Sequence, residues 1–137
     1  MADYTMTTTI ERGYDDTVAA VRDALADQGF GVLTEIDIAA TLKTKLDVDV
    51  APQVILGACR PQLAHRAIET EPSVAALLPC NVVVRSVDEQ TTVVEALDPR
   101  AMMSVSDNQA LAEVAEDARP RLAAALDALG GARSQEE

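Results

Sequence analysis

The sequence predicts an α+β domain: a single mixed, mainly antiparallel sheet of about five strands with helices packed on one face. Two patterns carry this. Short β-branched runs such as TTTIE, NVVVR and TTVVEAL alternate with stretches whose apolar residues recur at helical spacing. The last two runs flank a polar Asp88-Glu89-Gln90 turn, as antiparallel partners do.

Thr7 to Glu11 is the first strand, broken by Gly13. Asp15 or Asp16 can cap the next helix, whose apolar positions are Tyr14, Val18, Val21 and Leu25. Gly29 ends it in left-handed geometry. Phe30 to Asp37 alternates apolar and polar residues as a second strand. Asp37 then caps a short helix in which Ile38, Leu42 and Leu46 share one face and Lys43 and Lys45 the wet one. Gln53 to Ala58 is a buried-type strand, with Gly57 marking a bulge or a close backbone approach. Pro61 suits the first turn of a helix with Leu63, Ala64, Ala67 and Ile68 on its apolar face. Ser73 can open a second helical piece through Leu77. Asn81 to Arg85 and Thr91 to Leu97 form the hairpin, which Asp98-Pro99 stops. Asp107 or Asn108 opens the last helix, with Leu111, Val114, Ala118, Leu122, Ala125 and Leu129 on one face. Pro120 interrupts it, which predicts a kink and a freed Glu116 carbonyl. Residues 1–131 thus form one domain and 132–137 a disordered tail. The second face of the sheet, if apolar, predicts a dimer contact or a pocket.

Composition narrows the partners. Against 23 acidic residues stand 11 basic ones, a net charge of −12 that repels phosphate backbones and anionic lipid. Nucleic acid and membranes are therefore not expected partners. Phe30, Tyr4 and Tyr14 are the aromatic residues, so the core is aliphatic and stacking surfaces are few. The N-terminal stretch does not read as a signal peptide, and no apolar run approaches the roughly 20 residues of a spanning helix. The expected location is cytoplasmic, where a structural disulfide is not expected.

Gln53 to Val84 concentrates the unusual residues: both cysteines, the one histidine and three prolines. Cys59 leaves the third strand and Cys80 begins the fourth. A helix pair that goes out and returns makes those strands antiparallel and leaves both thiols at one sheet edge. A single right-handed crossover would instead separate the thiols by a strand length, roughly 15–20 Å. The sequence favours the first arrangement. Arg60 and the helix start after it favour the Cys59 thiolate. His65 falls near the polar edge of that helix.

LGACRPQLAHRAI, then LLPCNVVV, then DPRAMM, together with GFGVLTEIDIAATLKTKL, resemble the domain of unknown function 302 family from about Thr8 to Leu129. The resemblance implies an α/β sandwich-like domain, bacterial or archaeal, often self-associating, without an agreed activity. Members occur beside sulfur-handling and thiol proteins, which makes a thiol role conceivable. Arg60 stands where the family tends to have Asn, so the usual side-chain cap before Pro61 is lost.

Three functions remain open, and whether the chain is an enzyme is open with them. The first is a small non-enzymatic binding protein. Its ligand site is Cys59, Arg60, Pro61, His65, Pro79, Cys80 and Asn81, and Arg60 attracts a small anionic or thiol-reactive ligand. The second is a redox or sulfur-transfer protein, with Cys59 attacking and Cys80 resolving. The third is a structural, homodimeric interaction module. A homodimer is expected in any case; no cofactor and no metal site are expected. Cys59, Cys80 and His65 with Met102 or Met103 would suit copper(I) or zinc, but an unpartnered helical His and gap-filling methionines are the simpler reading. Two thiols filling tight strand ends are likewise simpler than a reactive pair. Asp98 reads as a turn former. There is no glycine-rich phosphate loop and no hydrolase triad.

Overall fold

The computed structural model describes residues 3–133. In chain order it runs β1 (Thr5–Ile10), α1 (Tyr14–Asp27), β2 (Gly31–Asp37), α2 (Ile38–Leu46), β3 (Gln53–Cys59), α3 (Pro61–Thr70), β4 (Cys80–Asp88), β5 (Thr91–Leu97), α4 (Gln109–Asp127) and β6 (Ala132–Arg133). Two 3-10 segments, Pro72–Leu77 and Pro99–Ser104, join α3 to β4 and β5 to α4. The strands form one sheet in the order β2-β3-β4-β5-β1-β6, with every neighbouring pair antiparallel.

Side chains alternate across a strand, so the buried set identifies the covered face. Met6 and Ile10 of β1, Val54, Leu56 and Ala58 of β3, Val82 and Val84 of β4, and Val94 and Ala96 of β5 all point into one core with α1 and the C-terminal half of α4. A second core gathers Leu63 and Ala67 of α3, Val74, Met102, and Leu111, Val114 and Ala118 from the N-terminal half of α4. Pro120 lies inside α4, which continues through it, at the point where the helix passes from one core to the other. The opposite sheet face presents Thr5, Thr7, Ile55, Val83, Arg85, Val93 and Glu95, none of which joins either core.

Several local expectations are corrected. Gly13, not Asp15 or Asp16, is the N-cap of α1; having no side chain to cap with, it leaves both aspartates in the first turn. Thr17 instead donates from Oγ1 to the Gly13 carbonyl at 2.8 Å. Glu71, not Ser73, precedes the first 3-10 segment. Ile68 is exposed rather than on the packed side of α3. Ala132 and Arg133, read as the start of a tail, pair with Thr9 and Thr8 of β1; residues 134–137 lie outside the described residues. Other signals match directly. Asp37 caps α2 through Ala40 N–H, Asn108 caps α4 through Ala110 N–H, and Gly29 adopts φ +84° after α1.

Candidate functional site

Ala58 is paired with Cys80 across β3 and β4. The chain therefore doubles back between its cysteines, and both lie at one edge of the sheet, as free thiols. They do not share a face. Ala58 is fully buried under the helices and Cys80, its partner across the ladder, lies on the same side. Cys59, the next residue along β3, belongs by alternation to the opposite side.

The two cores do not merge completely beneath this edge. Between them is a crevice of about 40 Å³, room for about three waters. Phe30 and Ala58 wall it from the sheet side, Leu63 and Ala67 from α3, and Met102 and Val114 from the second core. Cys59, Arg60 and Cys80 complete its lining. The walls are almost wholly apolar, so the Cys80 thiol and the Arg60 guanidinium supply the polar chemistry.

Arg60 is the N-cap residue of α3 and makes no side-chain cap bond. Its side chain lies over Gly29, where an added Cβ would sit 3.0 Å from Nε. That Nε is buried and, among the described residues, has no hydrogen-bond partner. Leaving a charged donor so costs free energy unless something else pairs with it. The guanidinium charge also reaches Asp117 on α4. Arg121 bonds Asp117 at 2.8 Å and Arg66 approaches it at 3.6 Å. The Asp117 carboxyl is held below its ordinary range, first by the Arg121 hydrogen bond, against slight desolvation, then by the charges of Arg121, Arg60 and Arg66. Three cations around one carboxylate leave this corner positive on a chain of net charge −12.

Burial pushes the Cys80 thiol up to about 11, and the nearby Cys59 adds to the shift. Cys80 is thus a protonated thiol at neutral pH. On the far side of the crevice Asp98 is 4% exposed. Its carboxylate accepts from Arg100 N–H and, at both oxygens, from Arg119 Nε.

Of the seven residues expected to form the site, the structure brings together Cys59, Arg60 and Cys80. Pro61 is exposed at the start of α3. His65 is exposed and pairs with Glu69 one turn along, because its helical position faces away from Leu63 and Ala67. Pro79 packs on Gly57 from the other side of the sheet. Asn81 alternates with Val82 and so lies on the open face, beside Gln53 and Arg85. Met102 lines the crevice, whereas Met103 lies on the surface beside Ser104. Among the described residues no three His, Cys, Asp or Glu side chains converge to hold a metal ion. The sequence reading missed the Arg66, Arg121 and Asp117 cluster; the Asp117–Arg121 spacing of one helical turn was its available signal. It also missed Phe30 as a crevice wall.

No helix among the described residues is long and apolar enough to cross a membrane. The fold is similar to a crystal structure described as an uncharacterized conserved protein DUF302 from Bacillus stearothermophilus, at TM-score 0.83 and 33% identity, covering 92% of this chain and 98% of that one. No curated protein matches this chain. The family model for the domain of unknown function DUF302 matches residues 6–129, nearly the whole of both cores and the crevice between them, and the chain belongs to that family.

Proposed function

We propose that this protein is a small binding protein whose ligand enters the crevice at the Cys59/Cys80 edge, apolar end first, with an anionic group against Arg60. The observation that carries this reading is the buried, unpartnered Nε of Arg60 beside an apolar gap. A carboxylate supplies the missing acceptor, and the surplus of arginine at this corner favours it. The apolar walls reward hydrocarbon and little else. Two free thiols are the state expected of a cytoplasmic protein, which is the location this reading takes.

The test is a titration with alkyl carboxylates from acetate to hexanoate, followed by amide chemical shifts. Expected is saturable binding that tightens about fourfold per methylene until the gap is filled. Arg60→Gln should weaken it, and alkylammonium ions of equal length should not bind. Binding by none of the carboxylates, or equal binding of the ammonium series, rejects the reading.

A thiol role is the second reading, favoured by the shared edge of Cys59 and Cys80. The protonated state of Cys80 and the opposite faces of the two residues weigh against a pair that cycles through a disulfide. A reversible disulfide that forms in the native protein and is lost in Cys80→Ser would favour the thiol role over simple binding.

A further inference from the structure

We propose that the anionic group held at the mouth of the crevice is a phosphate monoester, with its short alkyl or acyl tail in the apolar gap. This rests on the binding reading above and names the class of ligand. The arginine cluster stands beside the crevice, not elsewhere on the helices. Ala64 and Ala67 line the gap from α3, on either side of Arg66 in sequence, and Ala118 lines it from α4, directly after Asp117. Arg60 lines it from the start of α3. Three guanidinium groups act on Asp117: Arg121 at 2.8 Å, Arg66 at 3.6 Å, and Arg60 through its charge at longer range.

Each guanidinium carries several N–H donors in a planar fork, and a single carboxylate cannot occupy them all. Donors are in excess here, with the buried Arg60 Nε among them. So is charge, since Asp117 offsets one of the three cations. A phosphate monoester brings close to two negative charges above its second pKa of about 6, and three acceptor oxygens. It matches the surplus in both respects, whereas a carboxylate brings one charge and two oxygens. Arginine forks also pair with phosphate through two parallel bonds. The start of α3 beside Arg60 adds the positive end of its dipole. Glu113 and Glu116, the other acids on this stretch of α4, are exposed and form no ion pair with these arginines. Exposed charges farther off than about 8 Å are largely screened, so the overall −12 does not cancel a local excess. The gap of about 40 Å³ limits the tail to a few carbons, which excludes a lipid chain.

Titrations of the full chain with butanoate and with butyl phosphate at about pH 8, followed by amide chemical shifts, test this. Butyl phosphate should bind about tenfold or more tightly than butanoate, and the advantage should shrink as salt rises. Arg66→Gln with Arg121→Gln should abolish that advantage while changing butanoate affinity less than about threefold. Asp117→Asn removes the competing acceptor and should tighten butyl phosphate, which a loss of structure would not do. All three side chains are at least one-third exposed, so both variants should fold. Inorganic phosphate should bind more weakly than butyl phosphate, because it leaves the gap empty, and phosphatidate vesicles should not retain the protein. Butanoate binding with no gain for butyl phosphate overturns this inference and leaves the crevice reading standing; binding of neither defeats both. Inorganic phosphate that binds as well as butyl phosphate, retention on the vesicles, or an advantage that survives the double substitution also overturns it.

Discussion

Arg119 on α4 aims Nε at both carboxylate oxygens of Asp98, 3.1 Å from each. This contact ties the end of β5 to α4 behind the crevice. Burial alone would push the Asp98 carboxyl up. The bonds from Arg100 N–H and Arg119, with the charges of both arginines, outweigh it and hold the carboxyl below its ordinary value. A lowered folded value contributes stability above the unfolded value, about 3.9, and loses it as pH falls through the folded one. Urea unfolding of the wild type should therefore weaken more steeply below about pH 4 than that of Asp98→Asn, which lacks the titrating group. Arg119→Met should cost about 3 kcal/mol at neutral pH, because the buried carboxylate then keeps only Arg100 as a partner. A cost under about 1 kcal/mol would show the contact to be no more than a surface pair.

The Cys80 thiol gives a second pH signature with the opposite sign. Its folded value is raised from 9.0 to about 11. The associated stability is complete below pH 9 and is lost as pH rises through the interval to 11. The wild type should lose up to about 2–3 kcal/mol more than Cys80→Ala across that interval. Iodoacetamide should modify native Cys80 about 100-fold more slowly near pH 8 than it modifies the unfolded chain. Peptide mapping after timed alkylation reads this directly. Equal rates in the two states would mean that the half-buried Cys80 is neither shielded nor protonated as described.

The chain reversal was legible because α3 and the segment after it have separate proline starts, and an out-and-back excursion returns the strand antiparallel. What the sequence could not show is which face each residue takes once the strands are paired. Cys59 and Cys80 were correctly placed at one edge, yet alternation sends their side chains to different sides. Asn81 and Pro79 left the expected site for the same reason, and His65 left it by helical phase. Arg60 was singled out as an anion attractor, but its orphaned Nε depends on packing over Gly29, thirty-one positions away. Asp98 was read as a turn former, and it does accept from Arg100 N–H. Nothing local pointed to Arg119, since that contact exists only after α4 has packed beside the end of β5.

Gly29 links the fold to the proposed ligand site. It takes φ +84°, where any side chain is strained, and its Cβ position is 3.0 Å from Arg60 Nε. Gly29→Ala should cost about 1 kcal/mol or more in stability. It should also push the guanidinium off its seat, weakening carboxylate binding while leaving the alkyl-chain dependence intact. Loss of stability with unchanged carboxylate affinity would separate the Arg60 position from ligand capture.

Gly57 was expected to mark a bulge or a close approach, and the approach is from two sides. A Cβ there would run into Thr34 Oγ1 and lie 2.8 Å from Pro79 Cγ. Both neighbours are on the open face, so the clash falls between β2, β3 and the segment leading into β4. Thr34 can turn or be shortened, whereas the proline ring cannot yield without moving the backbone before Cys80. Gly57→Ala should therefore destabilise by about 2–3 kcal/mol, at the upper end of overpacking costs. Adding Thr34→Ala removes one obstacle and should recover part of that loss, a coupling readable from a double-mutant cycle in urea. Strict additivity of the two substitutions would mean that Pro79 alone sets the limit.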